Sequence, residues 1–373
     1  MTTPPPATGT GEHSATTRDE LPATMRAWRL HEWGSRPTLD RVPVPRPGPG
    51  EVLLKVDAAG LCHSDLHIMD SPEGRLPYTL PFTLGHEVVG TVVAVGDRAE
   101  EHWLGLTCAV HGVWSCGECR KCRSGRDNYC VRLDGAIGGG IGLDGGLADY
   151  ILVPSARHLV GVDPTAGTAL APLTDAGLTA FHAVDSQPVD VAGAVVVVIG
   201  IGGLGHLALQ VVRSRSPEVV VAVDPRRGAR DLATELGADH AVASVAEAVD
   251  LVARLSGDTG ADLVFDFVGV QDTVTAGARM LATGGGLTVV GSAGGSLTVD
   301  KQGSVPRGWR VAAPFWGPHA DLAAVLGLAA DGEIASVVEE RTMDEVPAAY
   351  EDLRRGRASG RLVVVPGRDP SAA

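Results

Sequence analysis

Two rhythms of apolar and polar residues divide this chain. From Met25 to about Val160, short apolar runs are separated by Gly and Pro: EVLLKVDAAG, HEVVGTVVAVG, GLADYILVP and HLVGV. Runs of that length bounded by turn formers predict a mostly β domain. From about Ala194 the pattern becomes continuous apolar strands followed by helical periods: VVVVIG with LGHLALQVVRS, then VVVAVD with RGARDLATELG. Strands without alternation suit a parallel sheet covered on both faces. With LVFDFVG, the helical span VTAGARMLATG and the strand GLTVVGSAG, they predict an α/β, doubly wound parallel sheet. After PFWG the rhythm fades into an Ala/Leu-rich helix, the segment EIASVVEER, a helix over EVPAAYEDLRRG and a strand RLVVVP that returns to the first domain. The expected organisation is a disordered tail over residues 1–24, a β domain over 25–183, a nucleotide domain over 184–316 and a return to the β domain over 317–373.

At 373 residues the chain is long enough for two domains, each with its own core. A formal net charge of -14 argues against a nucleic-acid or anionic-membrane partner. No apolar run approaches about 18 residues, so no membrane span is expected, and a cytoplasmic location follows. The first 24 residues lack an apolar segment and resemble neither a signal nor a transit peptide; Met25, directly before RAWRL, is a second candidate start.

Directly after VVVVI comes Gly200-Ile201-Gly202-Gly203-Leu204-Gly205, and then an amphipathic helix. Strand, glycines, helix, second strand and terminal acid together form a Rossmann dinucleotide fingerprint, in which backbone N–H groups and the helix dipole receive a pyrophosphate. Asp224 closes the second strand, where a carboxylate accepts from ribose hydroxyls and repels a 2'-phosphate; the expected cofactor is therefore NAD. Arg226 and Arg227 are either counter-charges for such a phosphate or solvated surface charge.

Cys116, Cys119, Cys122 and Cys130 fall in fifteen residues, spelled CGECRKCRSGRDNYC. The spacing predicts a closed four-thiolate zinc site that holds a loop and leaves no position open for chemistry. A second set, Cys62, His67, His86 and Glu87, offers donors of the type zinc prefers in the same domain. Cys108, in the apolar LTCAVHGV, is expected to be a core thiol.

The motifs CHSDLH, GHEVVGTV, the cysteine loop, PLTDAGLTAFHA, VIGIGGLG and GRLVVVP resemble those of the zinc-dependent medium-chain alcohol dehydrogenase family, from Met25 to about Pro366. The resemblance is closest to a bacterial, secondary-alcohol branch. It implies a GroES-like β domain and two zinc ions per chain, the catalytic one held by Cys62, His86 and Asp175. Asp175 can equally cap the helix that follows it. Glu87 would lie beside the metal or act as a supporting or salt-bridging carboxylate, and Asp65 would orient His86. Ser64 would take the alcohol proton and pass it to His67. His63 and Arg361 would contact the pyrophosphate or stand as ordinary exposed bases. Trp114, Phe315 and Trp316 are candidate walls of an apolar substrate pocket, or core aromatics. The implied activity is reversible, zinc-assisted hydride transfer between NAD and a small secondary or primary alcohol, by a homodimer or homotetramer. A polyol or sugar dehydrogenase and a non-catalytic nucleotide-binding redox sensor are the alternatives.

Overall fold

The computed structural model describes residues 21–298, 306–358 and 360–368. Of the tail expected over 1–24, residues 1–20 lie outside that range. Leu21 already belongs to an apolar cluster with Met25, Ala27, Val44, Leu53, Ala94 and Ala148. The chain forms two compact units: one runs to Asp175 and includes residues 318–326 and those from 337 onward, and the other comprises 176–317 and 327–336. The first crossing therefore falls before the residue-183 boundary read from the sequence.

In the first unit the organising strand is Val52–Leu61, in which only Lys55 is exposed. One edge pairs antiparallel with Glu87–Val95. The other edge is shared, the first half with Tyr150–Val153 and the last residues with the returning strand Arg361–Val364. Thr107–Val110 and Leu159–Gly161 extend the sheet on one side and Val338–Arg341 on the other, giving seven strands. The segment RLVVVP contributes the four strand residues Arg361–Val364 to this sheet. A smaller sheet joins Thr38–Pro43, Thr24–Leu30 and Phe82–Thr83.

The second unit has six parallel strands in the order His240–Val242, Val219–Val223, Val195–Ile199, Ala261–Asp266, Leu281–Val289, Arg310–Ala312. That order reverses direction at Val195–Ile199, a strand buried at every position, which is the doubly wound arrangement with its switch point at the glycine-rich turn. One expectation is corrected here. The helical span VTAGARMLATG ends early: the helix is Gln271–Arg279, and Leu281 already begins the next strand, pairing with Ala261 before a register shift. Local helical period gave way to sheet pairing there. No helix among the described residues is long and apolar enough to cross a membrane.

Three histidines crowd one end of the first unit's sheet. His111 and His158 are buried, joined by the His111 N–H donating to the His158 carbonyl at 2.7 Å, and the His111 and His319 rings lie 5.8 Å apart. Burial, then the charges of Arg157, His111 and His319, push the His158 imidazole down to about 2. The folded state therefore keeps His158 neutral while the unfolded chain protonates near 6.5, so its contribution is complete above that value and is lost as pH falls. We expect the wild type to lose on the order of 1 kcal/mol more than His158→Gln between pH 7.5 and pH 6.0. This would appear as a larger fall in urea midpoint; equal falls in the two proteins would remove His158 from the acid response.

Candidate metal centre and nucleotide crevice

The long strand Val52–Leu61 ends at Cys62, which turns the chain into the short helix His63–Met69. Asp65 stabilises that turn, its Oδ2 accepting from the Cys62 N–H at 3.0 Å. His86 precedes the strand Glu87–Val95, so Cys62 and Glu87 sit at neighbouring ends of paired strands. Asp175 arrives at the end of the 3-10 segment Thr168–Thr174. Thr174 anchors it, with Oγ1 accepting from the Val88 N–H at 3.1 Å and donating to the Ala171 carbonyl at 2.8 Å. Donor atoms of Cys62, His86, Glu87 and Asp175 all fall within 4.8 Å of one another, and all four residues are buried. Asp175 Oδ2 lies 3.4 Å from His86 Nε2 and 3.6 Å from Cys62 Sγ. On its far side His86 Nδ1 meets Asp65 Oδ1 at 3.2 Å, which leaves Nε2 facing the cluster.

One thiol, one imidazole and two carboxylates converge in a buried cluster, a donor set whose negative charge a divalent cation would compensate. Glu87 registers the strain: burial pushes its carboxyl up to about 7, with Asp175 adding to the rise and Arg361 opposing it. Its Oε2 is buried with no hydrogen-bond partner among the described residues. The donor set fits zinc.

Arg361 is neither exposed nor turned to solvent. It is buried at the start of the returning strand, with its guanidinium on Glu87. Room for that pair comes from Gly60, paired with both Glu87 and Val363, where a Cβ would stand 1.9 Å from Glu87 Oε2. Tyr350, on the helix Val346–Arg354, went unnoticed in the sequence, where nothing set it apart from other helix apolar positions. It is buried beside Asp65; burial and that carboxylate raise its phenol well above the ordinary value. Ser64 is half-buried with Oγ 3.6 Å from Cys62 Sγ, while His63 and His67 are exposed. Ser64 and His67, three apart on one short helix, share a face.

The four remaining candidate thiols form their own cluster, and no disulfide joins them. Sγ separations are 3.4 Å for Cys119–Cys122, 3.9 Å for Cys116–Cys122 and 4.0 Å for Cys119–Cys130. Tetrahedral Zn–S bonds of about 2.3 Å require sulfurs about 3.8 Å apart. Backbone N–H groups of Cys119, Cys116 and Arg132 donate to these sulfurs, and such donors draw the Cys116 and Cys119 thiols below the ordinary cysteine value. Cys108 is separate: burial pushes its thiol up to about 12, as a core residue.

In the second unit, Gly200 leaves the strand at φ +87 and its N–H donates to Val223. A Cβ on Gly205 would stand 1.8 Å from the Gly200 carbonyl, so the turn closes only with glycine. Gly202, Gly203 and Leu204 lie between them, half-buried, and the helix begins at Gly205. Asp224 braces this turn, its Oδ2 accepting from the Ile201 N–H at 2.9 Å. Arg226 grips the same carboxylate with Nε at 3.0 Å and Nη2 at 2.9 Å. Burial alone would raise the Asp224 carboxyl, but the Arg226 hydrogen bonds hold it below its usual value. Arg227 is exposed, its nearest partner Asp231 at 3.7 Å. Trp114 is set against a different cleft from the Cys62–His86 cluster, and Phe315 and Trp316 belong to this second unit.

The alcohol dehydrogenase GroES-like domain family matches residues 48–164, and the zinc-binding dehydrogenase family matches residues 203–331. A NAD-dependent alcohol dehydrogenase of Sulfurisphaera tokodaii is 32% identical over 92% of this chain and all of its own length. A D-arabinose 1-dehydrogenase (NADP(+)) of Saccharolobus solfataricus is 31% identical over 91% of this chain and 97% of its own. Among solved structures, the alcohol dehydrogenase of Aeropyrum pernix superposes with a TM-score of 0.84 at 32% identity, covering 91% of this chain and 100% of that one. With a β unit carrying two thiol-containing clusters and a switch-point glycine turn, the chain belongs to the zinc-binding, GroES-like medium-chain alcohol dehydrogenase family.

Proposed function

We propose that this protein is a NAD-dependent zinc alcohol dehydrogenase that interconverts small secondary and primary alcohols with their ketones and aldehydes. The observation that carries the reading is the buried convergence of Cys62, His86, Asp175 and Glu87. Cys62, His86 and Asp175 would hold a catalytic zinc, and the four-cysteine cluster a second, structural ion. A thiolate and a carboxylate balance the charge of one divalent ion, and three protein donors leave a fourth position for substrate. Bound there, zinc supplies a Lewis acid that stabilises negative charge on the substrate oxygen, while NAD supplies the hydride acceptor.

The chain's own residues prepare that chemistry. Asp65 fixes His86 with its Nε2 forward. Glu87, tied to Arg361, supplies a nearby carboxylate whose charge is balanced from behind. Half-buried Ser64 is suited to take the alcohol proton and exposed His67 to deliver it to solvent. The fingerprint Gly200, Gly202, Gly203, Leu204 and Gly205 would receive the pyrophosphate, with His63 as a further candidate contact and Asp224 on the ribose. The acid Asp224 at the end of the second strand, paired with Arg226, supports NAD over NADP. Self-association as a dimer or tetramer and a cytoplasmic location belong to the same reading. The D-arabinose dehydrogenase relative favours, more weakly, a sugar or polyol substrate.

Elemental analysis of the purified protein should give two zinc ions per chain and Asp175→Ala about one. One ion in the wild type, unchanged in that variant, would falsify the catalytic assignment. Cys62→Ser should lower turnover by roughly two orders of magnitude or more with little change in melting temperature. Cys116→Ser should lower the melting temperature by about 5 °C or more first. A Cys116 variant of normal stability without turnover would reverse that division of labour.

With a panel of primary alcohols, secondary alcohols and aldoses, kcat/KM should favour NAD, and secondary alcohols should lead. Asp224→Ala should narrow the NAD preference by about tenfold or more. An unaltered preference would show that discrimination lies elsewhere, and a lead for aldoses would establish the sugar reading.

A further inference from the structure

The helix that follows the glycine turn, Gly205–Ser214, carries a buried imidazole that neither the metal centre nor the proton path uses. Every position from Gly205 to Val212 is buried, and His206 is fully enclosed. Its backbone N–H donates to the Gly202 carbonyl at 3.2 Å, as the first turn of a helix requires. Its ring adds a second bond to the same oxygen, with Nδ1 at 2.8 Å. A carbonyl oxygen can only accept, so Nδ1 carries the proton.

That contact sets the direction of one peptide plane. In a planar trans peptide the C=O and N–H point opposite ways, so drawing the Gly202 oxygen toward the helix turns the Gly203 N–H away from His206. The two preceding planes are pinned by other groups. Ile201 N–H donates to Asp224 Oδ2 at 2.9 Å, and the Ile201 carbonyl accepts from Arg226 Nη2 at 3.2 Å. The Gly202–Gly203 plane rests on His206. It joins two residues without side chains, and a Cβ on Gly202 would meet nothing closer than Arg226 Nη2 at 3.9 Å, so crowding does not hold it.

We propose that His206 is a positioning residue for the dinucleotide: its ring locks the Gly202 carbonyl and so keeps the Gly203 N–H turned to receive a pyrophosphate oxygen. The inference rests on the NAD reading above. It assigns the imidazole to recognition of the pyrophosphate, through the backbone donors of a helix N-terminus, and to neither the adenosine nor the hydride step.

Full-length, metal-replete protein is titrated with NADH by fluorescence, and the bound NADH is displaced with ADP-ribose and, in parallel, with adenosine, which lacks the pyrophosphate. His206→Leu should weaken NADH and ADP-ribose by about tenfold and adenosine by less than about twofold. In turnover, KM for NAD should rise while kcat at saturating NAD stays within about threefold. His206→Asn, whose amide N–H takes the place of Nδ1, should recover ADP-ribose affinity to within about threefold of the wild type. If His206→Leu does not fold, His206→Met, which also lacks the donor, serves in its place. Unchanged ADP-ribose affinity in the donor-free variant, equal losses for ADP-ribose and adenosine, or an Asn variant no better than Leu would each overturn the proposal and leave the NAD reading standing. A wild type that binds neither NADH nor ADP-ribose would overturn both.

Discussion

Buried charge must be met by opposite charge, and the first unit is arranged around that requirement. Glu87 and Arg361 form an ion pair inside the sheet, at the ends of strands that both pair with Val52–Leu61. Neither partner could be buried alone. The C-terminal strand is therefore needed for more than its four residues of pairing, because it delivers the cation that holds Glu87 next to Cys62, His86 and Asp175. Gly60 makes the pair possible by having no side chain where the carboxylate passes. Removing either charge would leave the other stranded in a dry interior, a far larger penalty than the loss of an exposed pair.

The same logic appears in a different form in the second unit. Asp224 is held by the backbone of the glycine turn and by Arg226, so one carboxylate both closes the turn and pairs with a base at the end of the second strand. At the metal centre acidic groups outnumber local bases and call for a cation. At the nucleotide turn, acid and base are matched within the chain. The first arrangement suits a metal, and the second a neutral hydroxyl pair.

Much of this was legible in the residues. The glycine turn, the parallel strands and the clustering of the four cysteines are local in sequence, and local spacing was enough to expect them. The buried set Cys62, His86 and Asp175 is scattered, and only its motifs drew it together. Less legible were features that exist only once distant strands meet. Arg361 read as an exposed base or phosphate contact because nothing in GRLVVVP reveals that Glu87 lies across from it. Tyr350 read as a helix apolar residue because its neighbour Asp65 is far away in the chain. The helix over VTAGARMLATG was drawn too long because its helical period ignores the neighbouring strand that takes Leu281. Trp114 pointed to a substrate pocket by its residue type and lines another cleft instead.

The two thiol-containing clusters also differ in how far along the chain their members are spread. Cys116 to Cys130 spans fifteen residues, whereas the other set reaches from Cys62 to Asp175 and leans on Arg361. Closing a short loop takes well under a microsecond and little entropy, while long-range pairing waits for the whole sheet. A metal, if the cysteine loop holds one, would thus find its ligands in a segment that closes without the rest of the sheet. The buried set has no counterpart to that early step, since its supporting cation arrives with almost the last strand made. Were both sets to hold metal, the local loop would be ready for its ion before the buried set, which needs distant strands to meet.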